Sequence, residues 1–299
     1  MSLFKMQTIR GYYELTRLHK PILGNTYLFW PCAWGLTIAA RSAALSPLEY
    51  GVKLLLFAIG SMLLHSANCV YNDICDVEFD GQVERTRGRP LPSGVVSVTG
   101  AAIFCASLFV PVLFMLSYMN MTSLTLTLCG ICFIHPLYPL MKRWTWWPQA
   151  WLGLCFNWGI LVAWSSVLDR IPPISLWAMC FGSVCWTIVY DTIYACQDRE
   201  DDKRIGLKST AVLFGDKVKP ILASLALAFL LALGYSGRAA GQSVGFAIVS
   251  CGGALLHLVW QLWAWDDTNV RDHRGKFESN GMLACLVWLG LLVDYMRVL

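Results

Sequence analysis

Carboxylates and a carboxamide recur at four-residue spacing through Asn72, Asp76 and Asp80. On a continuing helix that spacing puts all three on one face, with Asn68 one turn earlier. Oxygen donors so placed suit a hard cation such as Mg²⁺ that also takes ligands from phosphate and water. The chain then runs through Glu84, Arg85, Arg87 and Arg89 to Pro90 and Pro92, which stop the helix. Arginine's planar fork matches phosphate oxygens. Acids that hold a metal beside arginines that hold phosphate read as a diphosphate site. The competing reading is a solvated charged loop with internal ion pairs.

A second stretch repeats the arrangement. Asp191, Tyr194 and Asp198 fall near one helical face, Asp198 and Asp202 are four apart, and Gly206, Lys208 and Ser209 follow. Two acidic helix ends facing each other can bracket two Mg²⁺ ions over one diphosphate, which neutralises the leaving group of an allylic displacement. A transporter would instead place its membrane carboxylates at mid-span. Here they stand at helix ends and lead into basic loops.

The elements that position these residues are membrane helices. Of 299 residues, 57% are hydrophobic and only 14% charged, with mean hydropathy +0.54. So few charges cannot cover a water-soluble surface of this size. Nine apolar runs, at 22–40, 54–71, 95–117, 121–140, 147–168, 174–190, 220–236, 243–265 and 281–296, have about the length a spanning helix needs. With the N-terminus inside, only Arg41, Lys53, Arg170, Arg238 and Arg297 of the 23 basic residues fall outside. That asymmetry puts both acidic motifs on the cytoplasmic side. The net charge of +4 is too mild for a nucleic-acid partner. Most of the 12 cysteines sit in apolar runs as small hydrophobes; Cys129 and Cys132 form a single CxxC pair without a second pair to complete a zinc site. His135 and His257, with no chemistry around them in sequence, read as parts of the helix packing. Residues 1–299 read as one domain, an all-α multi-pass membrane protein.

The two motifs resemble those of the UbiA superfamily of intramembrane prenyltransferases. Asn72 through Asp80 is similar to the family's NDxxDxxxD pattern, Glu84 through Gly94 to its arginine-rich continuation, and Tyr194 through Thr210 to its second motif. Lys20-Pro21-Ile22, Trp30-Pro31-Cys32, Tyr138 through Arg143 and Trp147-Pro148-Gln149 resemble the 4-hydroxybenzoate polyprenyltransferase branch. The resemblance implies nine helices around a central cavity. It implies metal ligation by Asn72, Asp76, Asp80, Asp198 and Asp202, and diphosphate binding by Arg85, Arg89, Lys142, Arg143 and Lys208. Asp191 would lie near an aromatic acceptor, with His65 and Tyr194 on the same side. Asp76, Asp191 and Asp198 are the acids on which catalysis is expected to depend.

The reaction so implied is attack of an electron-rich ring carbon on the allylic carbon of an isoprenoid diphosphate, with loss of diphosphate and a proton. His65 stands where relatives that use 4-hydroxybenzoate tend to have Arg, so a different phenolic acid is one reading and a histidine satisfied within the bundle the other. The N-terminal twenty residues look like neither a signal peptide nor a strong mitochondrial presequence. Together these features point to farnesyl transfer to a phenolic acid of terpenoid or meroterpenoid secondary metabolism, in a eukaryotic endomembrane. Ubiquinone-type 4-hydroxybenzoate prenylation and terpene cyclisation at the same metal site are the alternatives.

Overall fold

The computed structural model describes residues 3–20 and 26–299. These residues contain helices and connecting turns and no strand. An N-terminal helix, α1 (Leu3–Leu15), precedes α2 (Phe29–Ala43). Then come α3 (Pro47–Cys75), α4 (Val98–Leu116), α5 (Met121–Trp144), α6 (Pro148–Leu168), α7 (Ile174–Ile205), α8 (Thr210–Ala239), α9 (Val244–Trp263) and α10 (Val270–Met296). The eight helices α3 to α10 are long and apolar enough to cross a bilayer, so the chain is an integral membrane protein. The first expected span, 22–40, corresponds to α2, whose 15 described residues fall short of that length. Residues 22–25 of that span lie outside the described residues, as do Pro21 and Ile22 of the Lys20-Pro21-Ile22 segment.

Local chemistry sets the helix limits. At the start of α3, Ser46 Oγ accepts from the Glu49 amide while Glu49 accepts from the Ser46 amide, and Pro47 occupies the first turn. Helix α7 runs well past the apolar run at 174–190. Its charged turns hold themselves together at helical spacing, with Lys203 on Glu200 at 2.8 Å and Arg204 on Asp201 at 2.9 Å. Asp198 and Asp202 are thereby carried on an extension of a spanning helix rather than on a loose loop.

Helix α7 is the innermost strut and packs against α6, α8 and α10. Around it Trp186, Tyr190, Tyr27 and Phe229 form a buried aromatic cluster. Helices α2 and α6 approach so closely that a Cβ on Gly35 would strike the Ile160 carbonyl, the small-residue contact by which membrane helices gain packing energy. The two ends of the bundle differ in kind. At the end expected outside, Arg41 donates to the carbonyls of Ala240 (2.9 Å) and Gly241 (2.7 Å), and Arg297 pairs with Asp294. At the opposite end Arg85, Lys142 and Arg204 reach across to the acidic helix ends and their flanking turns.

Candidate active site

The acidic end of α3 does not continue as one straight helix. Asp76 takes φ −101° and ψ 8°, outside the helical well, and Val77–Asp80 forms a separate short turn. The ladder nonetheless persists, with the Asp76 amide on the Asn72 carbonyl (2.9 Å) and the Asp80 amide on that of Asp76 (2.8 Å). The four-residue register therefore survives while the backbone direction changes. At the end of α7, a 3₁₀ turn over Cys196–Asp198 plays the corresponding part.

Between these ends, α5 and α6 close a chamber of about 310 Å³. Its wall includes Asn72, Asp80, Arg85, Arg89, Lys142, Asp198, Asp202 and Lys208, with His65, Asp191 and Tyr194 also lining it. Most of the residues expected at a diphosphate site thus share one space. Two do not line it. Asp76 is buried against Lys142 (3.4 Å) and Arg143 (3.6 Å), and Arg143 donates to the Cys75 carbonyl at 2.7 Å while lying over the Phe79 ring. Packing on Phe79 and Cys75 keeps the Arg143 guanidinium behind the wall.

The chamber's acids are held by its arginines. Arg85 makes two bonds to Asp198, at 2.9 and 2.7 Å. Burial disfavours the charge on Arg85, but the bidentate bond to Asp198 outweighs it and holds the guanidinium's pKa above its ordinary range. Arg89 reaches Asp80 at 2.7 Å and Asp73 at 3.3 Å. Asp73 is fully buried and also takes Arg17 bidentately, at 2.6 and 2.7 Å. Arg17 lies just after α1, and there too the attraction of Asp73 overcomes the cost of burial and raises the pKa. Lys208 is fixed through its backbone amide on the Lys142 carbonyl at 2.9 Å. His65 Nε2 lies 3.5 Å from Cys69 Sγ, one turn along α3. Asp191 lines the chamber with no side-chain hydrogen bond or ion pair among the described residues, which leaves its carboxylate available to a bound molecule.

Asn72 Oδ1 is buried with no hydrogen-bond partner among the described residues. An uncompensated acceptor in the same wall as Asp80, Asp198 and Asp202 fits an oxygen-seeking divalent cation. No group of three or more His, Cys, Asp or Glu side chains among the described residues could hold an ion by itself. The fit is therefore to a cation that arrives with phosphate oxygens among its ligands.

A second cavity of about 280 Å³ adjoins the chamber and is lined mainly by apolar side chains of α3, α4, α5 and α6, including Phe57, Leu64, Val112, Ile131 and Val162. His135 and Cys155 belong to the walls of both spaces. His135, read from the sequence as part of the helix packing, stands at the junction of the two walls, with Nδ1 2.8 Å from Asn68 Nδ2. Arg17 and Asp73 were likewise not picked out. Asp73 sits among recognised acids, but its partner lies 56 positions away in an N-terminal segment that reads as an ordinary basic anchor.

A membrane bundle whose charged end encloses acids and arginines, backed by an apolar cavity, has the build of an enzyme acting on a phosphate ester with a hydrocarbon tail. The sequence pattern of the UbiA prenyltransferase family matches residues 28–286, and the chain belongs to that family. It is 45% identical over 292 residues to the UbiA prenyltransferase claS of Ampulloclitocybe clavipes, covering 96% of this chain and 91% of claS. It is 39% identical over 285 residues to the mitochondrial 4-hydroxybenzoate polyprenyltransferase of Drosophila melanogaster, covering 95% of this chain and 71% of that protein. Among solved structures, a UbiA homologue from Archaeoglobus fulgidus bound to DMAPP and Mg²⁺ superposes with a TM-score of 0.67 at 17% identity, over 95% of this chain and 99% of the other. The chain is a prenyltransferase of the UbiA family.

Proposed function

We infer that the protein transfers a farnesyl group from its diphosphate to a ring carbon of a phenolic acid, for a terpenoid or meroterpenoid product. The observation that carries the reading is the adjacency of two unlike spaces: a chamber of acids and arginines beside an apolar cavity, with His135 and Cys155 in the walls of both. A diphosphate fits the first, and an isoprenoid chain fits the second. The chain is 45% identical to claS over nearly the full length of both chains, against 39% for the 4-hydroxybenzoate polyprenyltransferase of Drosophila melanogaster. His65, a neutral-capable ring in the chamber wall, supports an acceptor other than 4-hydroxybenzoate.

Asn72, Asp80, Asp198 and Asp202 would hold Mg²⁺ together with the diphosphate oxygens. When bound, the ion supplies charge neutralisation to the diphosphate oxygens as the leaving group forms. Arg85 and Arg89, which hold Asp198 and Asp80 in this structure, would offer their guanidinium groups to the diphosphate. Lys142 and Lys208 add charge from α5 and the turn before α8. The bond from the allylic carbon to oxygen breaks with its electron pair passing to diphosphate. A ring carbon ortho to the phenol bonds to that allylic carbon, and the displaced ring proton is lost. Asp191 accepts a hydrogen bond from the phenol and makes the ring more electron-rich. Apolar walls keep water from capturing the carbon first.

Membranes containing the protein, incubated with Mg²⁺, geranyl, farnesyl or geranylgeranyl diphosphate and a panel of phenolic acids including 4-hydroxybenzoate and orsellinic acid, test the reading by product mass. An acceptor heavier by one farnesyl unit is the expected product. Preference for 4-hydroxybenzoate with longer donors moves the assignment to the quinone branch. A cyclised hydrocarbon or alcohol formed without acceptor overturns the role given to Asp191.

A further inference from the structure

Three features converge on one side chain between the two cavities. Helix α5 is interrupted by a π-helical turn over Gly130–Ile134, immediately before His135. Such single-turn expansions re-aim the residues that follow them. The Ile134 carbonyl is taken by Trp151 Nε1 at 2.7 Å, with Cys155 Sγ 3.6 Å away, so the turn is pinned to α6. Gly130 leaves room for the same arrangement, since a Cβ there would lie 3.1 Å from the Trp158 ring and 3.9 Å from His135 Cδ2. From the opposite wall Asn68, on α3, reaches His135 Nδ1 at 2.8 Å. The carboxamide nitrogen donates and Nδ1 accepts, which leaves the ring's proton on Nε2.

We propose that His135, oriented by Asn68, is a positioning residue of the transfer reaction: it forms the neck through which the donor's hydrocarbon passes from the diphosphate chamber into the apolar cavity. This rests on the prenyl-transfer reading above. The neck fixes where the first isoprene unit lies, and hence how the allylic carbon faces the acceptor. It also separates that carbon from water in the charged chamber. Neither His135 nor Asn68 needs to exchange a proton in this role. What matters is the ring's place between α3 and α6, which the hydrogen bond to Asn68 and the π-turn determine together.

The side reaction that a loosened neck admits has a defined product. Water oxygen bonds to the allylic carbon as the carbon–oxygen bond to diphosphate breaks, and the water loses a proton, giving prenyl alcohol and diphosphate. The test is therefore the ratio of farnesol to prenylated acceptor in purified wild-type protein and in His135→Phe, His135→Gln and Asn68→Leu. Binding of farnesyl thiodiphosphate, which does not turn over, is measured beside it. His135→Phe and Asn68→Leu are expected to lower kcat for transfer by about 10²-fold, the order that a small misplacement of reacting atoms costs, and to raise the farnesol share roughly tenfold. Affinity for farnesyl thiodiphosphate stays within about twofold, because the diphosphate grip is untouched. His135→Gln, whose side-chain oxygen can still accept from Asn68, recovers most of the wild-type ratio. A merely packing role predicts reduced activity with the ratio unchanged. If the wild-type protein prenylates an acceptor and neither His135→Phe nor Asn68→Leu shifts the ratio, the proposal fails and the transfer reading stands. If the wild-type protein releases only alcohol or hydrocarbon under all acceptors, the transfer reading itself fails.

Discussion

Asp73 and Asp198 are both held by arginine forks, yet their roles separate on burial. Asp73 is 0% exposed and receives Arg17 at 2.6 and 2.7 Å and Arg89 at 3.3 Å. Asp73→Ala takes away the buried carboxylate that Arg17 holds bidentately, while Arg89 keeps its bond to Asp80. Breaking a buried pair by removing one partner costs about 3–5 kcal/mol. The side chains of Arg17 and Arg89 are 18% and 24% exposed and still reach the aqueous chamber, so the low end, about 3 kcal/mol, applies. For a chain of this size that is a fall in Tm of roughly 5–10 °C, read by thermal unfolding of the detergent-solubilised protein. The double variant Asp73→Ala/Arg17→Leu should recover part of the loss, because it removes one stranded charge with the acid. An Asp73→Ala protein that melts within 1 °C of wild type would refute the reasoning and place Asp73 among the donor-binding groups instead.

Asp198→Ala and Asp202→Ala should reduce turnover by at least about 10³-fold, since charge at the leaving group is the largest single contribution to such a reaction, with melting nearly unchanged by circular dichroism. Arg85→Ala, freed of the competing need to hold a helix end in place once donor is bound, should raise donor KM more than it lowers kcat, checked by steady-state kinetics over a donor series. Chelation with EDTA should abolish turnover, and added Mg²⁺ should restore it in a mass-spectrometric product assay. Gly60, on α3 in the apolar cavity, would place a Cβ 3.3 Å from Met115 Cε. Gly60→Leu should therefore penalise farnesyl diphosphate more than geranyl diphosphate in paired kcat/KM measurements.

The spans were legible because membrane helices leave long runs free of charge, and each of α2 to α10 overlaps one of those runs, with α3, α7, α8 and α10 extending well past theirs. The acidic motifs were legible because the four-residue spacing survives even the break at Asp76. What could not be read was contact between distant segments. Arg17 looks like any basic anchor until the fold brings it to Asp73. His135 lies in an apolar stretch, and the π-turn that sends it toward Asn68 has no mark in composition or spacing beyond Gly130. The burial of Asp76 behind the chamber, against Lys142 and Arg143, depends in the same way on α5 crossing the end of α3.

The two cavities are also two exits. The charged chamber stands at the end of the bundle where the basic loops gather, whereas the apolar cavity reaches α3 and α4 beside side chains as exposed as Leu56 and Phe114. Inorganic diphosphate is soluble only in water, and a farnesylated phenol, the product of the proposed reaction, strongly prefers lipid. The products of one turnover would therefore leave into different phases. Separation across that boundary lowers the concentration of each product at the site and so limits product inhibition.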